Sequence, residues 1–554
     1  MTVIESSVMR SGSRARRAVV VGSALAITFA LACSSKEDDA PGGSSGAGNA
    51  GASQGGAGAT TGAGRGNTGG TAAGTAGASG AGARGGSAGT APNGAGNGGR
   101  STAGAAGRGT AGSAALAGTS GRDPTGDAGA AGAGVEPVVC SDGNCHYVRA
   151  DASGSGDGSS WADAYVELPK ALARGHAYFV ASGSYPAHDF DDAPAGDARI
   201  RIVRATTADH GTSDGWNDAY ATGECAFGVL DFKQPAYDFE GRGALHVVGD
   251  FQGTVVRIAG DSTHFSGVDV DGSFAMSGGK HVSGACTGME ISGDDVVVSG
   301  NHVHDIADDG VVVGGNSRLL FEGNEIDRLM GCGTDGNCGP CDNGHSDGLE
   351  IYAVHDSDFV GNFAHDIAST STFFFGNWAD ELGDGPADYC ENILLANNVL
   401  YNPDTGFVVY VEDVRGVTLV GNTIWGQHQG RYGGLAVGVN VKGLEIDDNV
   451  ILSINYEHLM STFDPAEHHG DYNLFGVKLD QWMDGPHDVV ALDPGFAAIP
   501  DADADKVLDP KPEDFTPAAG SPLLGAGSSD APKLPARDFF GTVRASPPSV
   551  GAVE

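Results

Sequence analysis

The sequence predicts an all-β solenoid, a stack of coils built from short parallel strands, because two motifs recur along the second half of the chain. In the first motif, an apolar strand ends in a small residue that is followed by Asn. In the second motif, a strand opens directly after a turn. The Asn residues of the first motif are Asn301, Asn324, Asn362, Asn398, Asn422 and Asn449.

The spacing of these Asn residues fits one coil per repeat. Successive members are 23, 38, 36, 24 and 27 residues apart. The two long intervals carry insertions at residues 331–344 and 380–390, so the period survives. Stacked coils satisfy their backbone groups by bonding to the coils above and below, at about 4.8 Å per coil. We therefore expect the Asn side chains to form one buried ladder of amides.

The second motif adds another strand to each coil. Each member has Gly at its second position, after a turn residue, and continues with apolar residues at alternate positions. Alternation sends every second side chain to the interior and the others outward. The predicted strands of this motif are residues 287–291, 309–313, 347–351, 405–409 and 433–437.

The first 33 residues have the pattern of an export signal. Residues 1–33 place several Arg residues before an apolar run that is too short to span a membrane comfortably. The run ends at Cys33 in a pattern that resembles a bacterial lipobox, so we predict that Cys33 is lipidated. The alternatives are an ordinary cleaved signal with Cys33 as a bystander, or a retained helix.

The rest of the chain divides into a linker and a folded part. Residues 34–134 are almost all Gly, Ala, Ser and Thr, so they lack the apolar surface needed to fold and are predicted to be flexible. We assign residues 135–240 to an N-terminal cap and the first coils. The solenoid core follows at residues 241–480, and a closing segment at residues 481–554 ends the chain.

Both ends of the folded part resemble a known group. Residues 154–161, followed by the amphipathic segment 165–173, resemble the entry of bacterial right-handed parallel β-helix proteins of the pectate-lyase-like kind, and the motifs after residue 470 resemble their closing segment. The resemblance implies a single-stranded right-handed parallel β-helix whose N-terminal amphipathic cap protects the open end. It implies a carbohydrate partner less specifically, since lyases, epimerases, hydrolases and uncharacterised proteins share these ends.

The charge excludes some partners. A formal net charge of −40 and a pI near 4.5 argue against nucleic acid and against anionic membranes, which bind clustered Lys and Arg. Contact with a membrane is therefore expected only through the lipid anchor. A polyuronate would be repelled unless Ca²⁺ or a local cation screened it, so we expect a neutral glycan or a Ca²⁺-assisted site. The alternative is an acidic surface that only aids solubility.

Eight cysteines remain when Cys33 is set aside, and an even number in an exported chain favours disulfides. A zinc site built from the cysteines near residue 340 is the alternative. Because the two insertions lie one coil apart, we predict that Cys390 bridges to one of Cys332, Cys338 or Cys341.

The polar stretch after the first insertion is the strongest candidate catalytic site. His345 lies in a turn before Asp347 and Glu350, and a His beside carboxylates suits general base catalysis. Asp309 matches Asp347 one coil earlier, and Glu290 lies two coils from Glu350, so paired carboxylates for glycoside hydrolysis are expected. The pattern faintly resembles polygalacturonases but lacks their Asn-Thr-Asp and Arg-Ile-Lys motifs. The alternative is that Asp-Gly pairs only make turns.

A second candidate site follows the Asn ladder by three residues, in a column that alternation is expected to turn outward. Its imidazoles His304 and His365 flank the carboxylate of Asp327 and are further candidates for catalysis or for a metal site, although no other ligand can be named. Tyr401 and Trp425 continue the column as expected aromatic surfaces for sugar rings. The alternative is that these are exposed strand residues without a shared role.

Together these features predict a surface-anchored carbohydrate-active protein that cleaves a polysaccharide, either as a lyase or as a glycoside hydrolase. The alternative is a non-catalytic adhesin or glycan-binding solenoid. We expect a monomer that is exported and lipid-anchored at the outer membrane or cell surface. No cofactor is certain, and Ca²⁺ is the one that the sequence allows.

Overall fold

The structure is a computed structural model. It describes residues 138–141, 143–249, 252–277, 280–330, 341, 346–368, 370–376, 389–402, 407–426, 433–438, 440–452, 465–476, 485–491, 493–498 and 510–554. This part of the chain coils into a parallel β-helix with three sheets, which confirms the all-β solenoid.

The first sheet stacks one strand from each coil in parallel. Two long strands bend and take part in both the first and the second sheet. The strands of the first sheet are Cys145–Val148, Ala177–Val180, Ile200–Arg204, Val297–Ser299, Leu320–Glu322, His355–Val360, Cys390–Ala396, Val414–Val420, Glu445–Asp447 and His469–Asp471, with the first halves of Tyr237–Val248 and His264–Asp271.

The second sheet follows the first in each coil, and the third sheet follows the second. The second sheet contains the other halves of the two long strands, with Gly183–Tyr185, Cys225–Phe227, His302–Ile306, Glu325–Leu329, Phe363–His365, Val399–Tyr401, Thr423–Trp425, Val450–Leu452, Leu474–Phe475 and Val489–Val490. The third sheet contains His188–Phe190, Leu230–Phe232, Thr254–Ile258, Thr287–Ile291, Val311–Gly314, Asp347–Tyr352, Ser371–Gly376, Phe407–Val411 and Leu435–Val437.

The remaining elements are short. An antiparallel hairpin joins Ala275–Ser277 to Lys280–Ser283. The helical segments are an α-helix at Ala219–Thr222 and 3₁₀ turns at Pro465–Glu467 and Pro512–Phe515. None of the described helices has the length and apolarity to cross a membrane.

The predicted Asn ladder is confirmed, and it lies at the turn between the first and second sheets. Asn398 is representative: its Oδ1 accepts hydrogen bonds from both the backbone N–H and the side-chain amide of Asn362, each at 2.9 Å. Its own amide donates to the carbonyl of Phe359 at 2.9 Å. The same pattern runs from Asn301 to Asn473, and every ladder amide is buried.

The small residue of the motif has a structural reason. The residue before each ladder Asn has a left-handed backbone, with a φ of 61° at Gly323 and 63° at Gly421. Only Gly adopts this conformation without strain, and Asn tolerates it better than most residues. Asn397 accordingly takes the same place with a φ of 56°.

The interior is filled by side chains of equivalent positions stacked on one another. Leu349 pairs with Phe373 in the next coil, and Phe373 pairs with Val409 in the coil after that. All three are fully buried. Each buried apolar side chain of this size contributes about 1.5–3 kcal/mol through the hydrophobic effect.

The expected alignment of the second motif needs one correction. The strand Ser371–Gly376 lies between the strands that open at Asp347 and at Phe407, and the sequence motif did not include it. Because Ser371 pairs with both Asp347 and Phe407, residue 407 rather than 405 is in line with Asp347. A shift of two residues keeps every side chain on its predicted face.

Segments near both ends of the predicted folded part cover the solenoid. In the N-terminal segment 165–173, Leu168 and Leu172 are buried against the first coils. This segment is not helical. The C-terminal segment packs along the side of the coils rather than over their end. For example, Ala552 N donates to Thr423 Oγ1 at 3.1 Å, and Arg544 donates to Asn397 Oδ1 at 2.7 Å.

The cysteines form two described disulfides, Cys140–Cys145 and Cys286–Cys341. Disulfides of this kind are typical of exported proteins, and the bond to Cys286 removes Cys341 as a zinc ligand. The prediction that Cys390 forms a bridge is wrong. Its thiol is buried in the core, where it donates to the carbonyl of Ile351 at 3.6 Å. Cys332 and Cys338 lie outside the described residues.

Candidate functional site

A group of carboxylates lies at the N-terminal ends of two neighbouring strands of the third sheet. Asp309 precedes the strand Val311–Gly314, and Asp347 opens the strand of the next coil. The backbone N–H of Asp347 donates to Asp309 Oδ1 at 2.9 Å, as expected for residues one coil apart. The Asp347 side chain is hydrogen-bonded to Ser371 in the following coil. Both aspartates are buried.

Glu350 joins this group from the outward face of its strand. Leu349 and Ile351 point into the core as predicted, so Glu350 points away from it. The residue is nevertheless only 8% exposed. The hydroxyl of Tyr352 donates to Glu350 Oε1, and Glu350 is also hydrogen-bonded to the carboxyl group of Asp309. We call Asp309, Asp347, Glu350 and Tyr352 the carboxylate cluster.

The cluster holds protons near neutral pH. Burial raises the pKa of Asp309 to about 6, although hydrogen bonds from Asp347 N–H and Glu350 oppose the shift. Burial, together with the charges of Asp309 and Glu350, raises the pKa of Asp347 well above its usual range. Two carboxyl groups that hydrogen-bond to each other need a proton between them. The cluster can therefore both donate and accept a proton.

Partly exposed aromatic rings continue the outward face beyond Glu350. Phe374 pairs with Glu350 in the next coil, and Tyr410 pairs with Phe374 in the coil after it. The rings of Phe374 and Tyr410 stack at 5.4 Å with an angle of 5° between their planes, and Phe407 lies against Tyr410 at 5.0 Å. Sequence reasoning missed these residues. The run of three Phe at 373–375 was the available signal, since alternation must place one ring outside.

The other residues expected in this region are placed differently. His345 lies outside the described residues, so its assignment as a base remains a prediction. Glu290 is in line with Glu350 two coils away, as expected, but its carboxylate accepts a hydrogen bond from Arg257 at 2.8 Å. Calcium also remains a prediction, and at this site it would compete with the proton that Asp309 and Glu350 share.

The column after the Asn ladder lies on the second sheet, apart from the carboxylate cluster. His304 pairs with Asp327 in register, as predicted, but its ring bonds elsewhere. Nε2 of His304 faces Asp269 Oδ1 at 2.5 Å, and Nδ1 faces Asp305 Oδ2 at 2.7 Å. Asp327 instead accepts from His302 at 2.7 Å. The expected cluster of His304, Asp327 and His365 is therefore replaced by pairs with other partners.

These pairs keep the imidazoles protonated. Burial alone would lower the pKa of His304, but the hydrogen bonds to Asp269 and Asp305 outweigh it and raise the pKa to about 9. Burial of His365 is likewise outweighed by Asp366 and Glu325, with a pKa of about 9. A protonated imidazole cannot accept a proton, so the structure does not support either residue as a general base at neutral pH.

The expectation that Tyr401 and Trp425 are exposed surfaces for sugar rings is wrong. Both are 2% exposed. The C-terminal segment covers them, with Phe515 centred 5.5 Å from the Tyr401 ring and Phe496 centred 5.8 Å from the Trp425 ring. Alternation did turn these side chains out of the solenoid, but a segment far away in the chain packs on top of them.

Comparisons with known proteins agree with this architecture. Residues 256–451 match the family described as the right-handed beta helix region, so the solenoid is a right-handed parallel β-helix. Among curated proteins, no sequence matches the chain.

Solved structures of low similarity also align with the chain. Pectate lyase Pel9A is 16% identical, with a TM-score of 0.43, over 74% of this chain and 96% of its own. A rhamnogalacturonan lyase is 12% identical, with a TM-score of 0.35, over 72% and 99%. The pectin methylesterase from Aspergillus niger is 10% identical, with a TM-score of 0.22, over 61% and 86%. The fold assignment rests on the family match and the strand pairing.

Proposed function

We propose that this protein is a glycoside hydrolase that cleaves a neutral polysaccharide at the carboxylate cluster. The observation that carries the proposal is the grouping of three buried carboxyl groups, those of Asp309, Asp347 and Glu350, next to an outward face that continues into aromatic rings. Glycoside hydrolysis needs one carboxyl group to protonate the glycosidic oxygen and a second to activate water or attack the anomeric carbon. A pair that shares one proton has both forms available.

The charges around the cluster favour hydrolysis over elimination. A lyase acting on a uronate needs a cation to neutralise the substrate carboxylate. In the described part of the third sheet, the cation in line with Glu350 is Arg257, three coils away, and Glu290 already pairs with it at 2.8 Å. An anionic sugar placed beside Asp309, Asp347 and Glu350 would be repelled. A neutral sugar ring would instead stack on Phe374 and Tyr410.

The test is an assay of the full chain against a panel of neutral and acidic glycans. New reducing ends report hydrolysis, and absorbance of unsaturated products reports elimination. We expect reducing ends from a neutral glycan, and we expect Asp309→Asn and Glu350→Gln each to lower kcat by at least a hundredfold. Glu290→Gln is the matched control, because it removes a carboxylate on the same face outside the cluster.

Three results would overturn the proposal. Unsaturated products would mean a lyase, and full activity of both cluster variants would place the chemistry elsewhere. Binding of a glycan without cleavage, weakened by Phe374→Ala and Tyr410→Ala, would support the alternative of a non-catalytic glycan-binding solenoid on the same face.

We also propose that the protein is exported as a monomer and held to the outer membrane or cell surface by a lipid on Cys33. The signal-like residues 1–33, the flexible composition of residues 34–134 and the two disulfides support this. Cys33→Ser should release the protein from the membrane fraction. Membrane association that survives this substitution would contradict the anchor.

A further inference from the structure

On the outer face of the second sheet, acidic and imidazole side chains alternate from one coil to the next. They do so at two aligned positions of the strands. Asp269 pairs with His302, which pairs with Glu325, and two residues further along the strands Asp271 pairs with His304, which pairs with Asp327. The imidazole coil is thus placed between two acidic coils. Neither the Asn ladder nor the proposed hydrolase chemistry uses this face.

Three of these side chains converge on one point. Asp269, His302 and His304 each offer a ligand atom, and these atoms all lie within 4.8 Å of one another. The rings of His302 and His304 lie 4.3 Å apart. An imidazole–imidazole–carboxylate set is one that zinc and related first-row divalent ions prefer, whereas calcium prefers oxygen ligands alone.

The surrounding carboxylates have the arrangement of an outer shell. In metal sites, a ligating imidazole usually donates its second N–H to a carboxylate, which fixes the ring. Nδ1 of His304 faces Asp305 at 2.7 Å, and Nε2 of His302 faces Asp327 at 2.7 Å. Nδ1 of His246 lies 2.9 Å from the second oxygen of Asp269. Each of the three converging residues is therefore oriented by a further partner.

The site is also accessible to solvent and surrounded by carboxylate groups. The side chains of His302 and Asp269 are 32% and 29% exposed, so an ion can enter and a water can complete its coordination. Asp269, Asp305 and Asp327 surround the imidazoles with carboxylate groups, which attract a divalent cation.

We propose that Asp269, His302 and His304 bind one zinc-like divalent transition-metal ion, with Asp305 and Asp327 as outer carboxylates. The ion would join the strands His264–Asp271 and His302–Ile306 across two coils.

The test is isothermal titration calorimetry of the untagged full chain with Zn²⁺, after dialysis of the protein against a chelator. Co²⁺ is the spectroscopic probe, since a tetrahedral nitrogen and oxygen site gives visible absorption. We expect one ion per chain above the background, and an affinity that falls at least tenfold in His302→Gln and in His304→Gln. His355→Gln is the matched control, because it removes a partly exposed imidazole beside a carboxylate, Glu391, on the first sheet. It should change the affinity less than twofold.

Thermal melting without metal shows whether each variant is folded. His302 is the more exposed ligand, so its variant is expected to fold even if His304→Gln does not. The proposal is overturned if the wild-type chain binds no ion above the level of exposed imidazoles, or if the folded His302→Gln variant binds Zn²⁺ as tightly as the wild type. It is also overturned if Co²⁺ gives only the weak spectrum of an octahedral aquo complex.

Discussion

The Asn ladder lies at a turn and the carboxylate cluster at the start of the strands of the third sheet; both are groups of polar side chains from stacked coils, and they differ in charge. In the ladder, each neutral amide both donates and accepts, so stacking satisfies every member. In the cluster, three acidic groups share one buried region. Burial raises the pKa of Asp309, and burial together with the charges of Asp309 and Glu350 raises the pKa of Asp347. The same geometry therefore stabilises the fold in one place and keeps reactive protons in the other.

The largest expected effect comes from breaking the ladder at its centre. Asn398→Ala removes the acceptor for two donors of Asn362 and the donor for the carbonyl of Phe359, all buried. Because each buried polar group left without a partner costs about 1–3 kcal/mol, we expect a loss of about 4 kcal/mol in the free energy of unfolding. Denaturant unfolding measures it.

Asn217→Ala is the control for that variant. Its side chain is exposed and accepts one local hydrogen bond, from Ala219 N–H at 3.0 Å. It should cost less than about 1 kcal/mol. Equal losses in the two variants would mean that the ladder adds nothing beyond an ordinary surface contact.

Removing a charge from the carboxylate cluster should stabilise the protein, whereas Asn398→Ala should destabilise it. The pKa of Asp309 rises from 3.8 to about 6 on folding, so the folded state binds the proton more tightly than the unfolded state. The contribution of Asp309 to the free energy of unfolding is therefore highest below pH 4. It is lost as the pH rises to 6 and stays low above pH 6. Asp309→Asn keeps an acceptor for the Asp347 N–H and removes the ionisation. We expect it to gain about 2 kcal/mol at pH 8 and nothing at pH 4.

The measurement is the free energy of unfolding of both proteins at the two pH values. Asp294→Asn serves as a control, because it replaces a carboxylate that is half exposed, with 46% of its side chain accessible. A destabilised Asp309→Asn at pH 8 would show that the ionised group contributes favourable contacts. The cluster would then be a structural feature like the ladder rather than a site held against its own charge.

The ladder was readable from the sequence because each of its members carries its own local signal. A Gly, Asn or Asp, which tolerates a left-handed backbone better than other residues, precedes each Asn from Asn301 to Asn449, and both are fixed by one turn. The Asn ladder cannot be extended from the sequence to the coil before Asn301, because Val268 occupies the Asn position there. Without that marker the sequence could not align Asp269 with His302, so the partners of the imidazoles were missed.

The outer face was only partly predictable. The register of Asp309, Asp347 and Glu350 followed from the Asp-Gly turns, whereas the coil containing Phe374 lacks such a turn and was overlooked. Tyr401 and Trp425 could not be assigned correctly, because the residues that cover them, Phe515 and Phe496, lie far along the chain in a segment without periodicity. Contacts of this kind depend on the tertiary structure rather than on local pattern.

The smallest expected effect tests the turn that supports the ladder. An added Cβ at Gly323 would meet no atom within 4 Å, so a substitution there changes only the backbone strain at its φ of 61°. Gly323→Ala should lower the free energy of unfolding by about 1 kcal/mol. Gly323→Asn should cost about half as much, because Asn tolerates the left-handed region, as Asn397 does at the equivalent turn. Gly421→Ala has the same strain at 63° but would also place its Cβ 2.9 Å from Leu534, so it should cost more than either. If Ala and Asn at residue 323 were equally costly, the preference for Gly or Asn before the ladder would come from something other than backbone conformation.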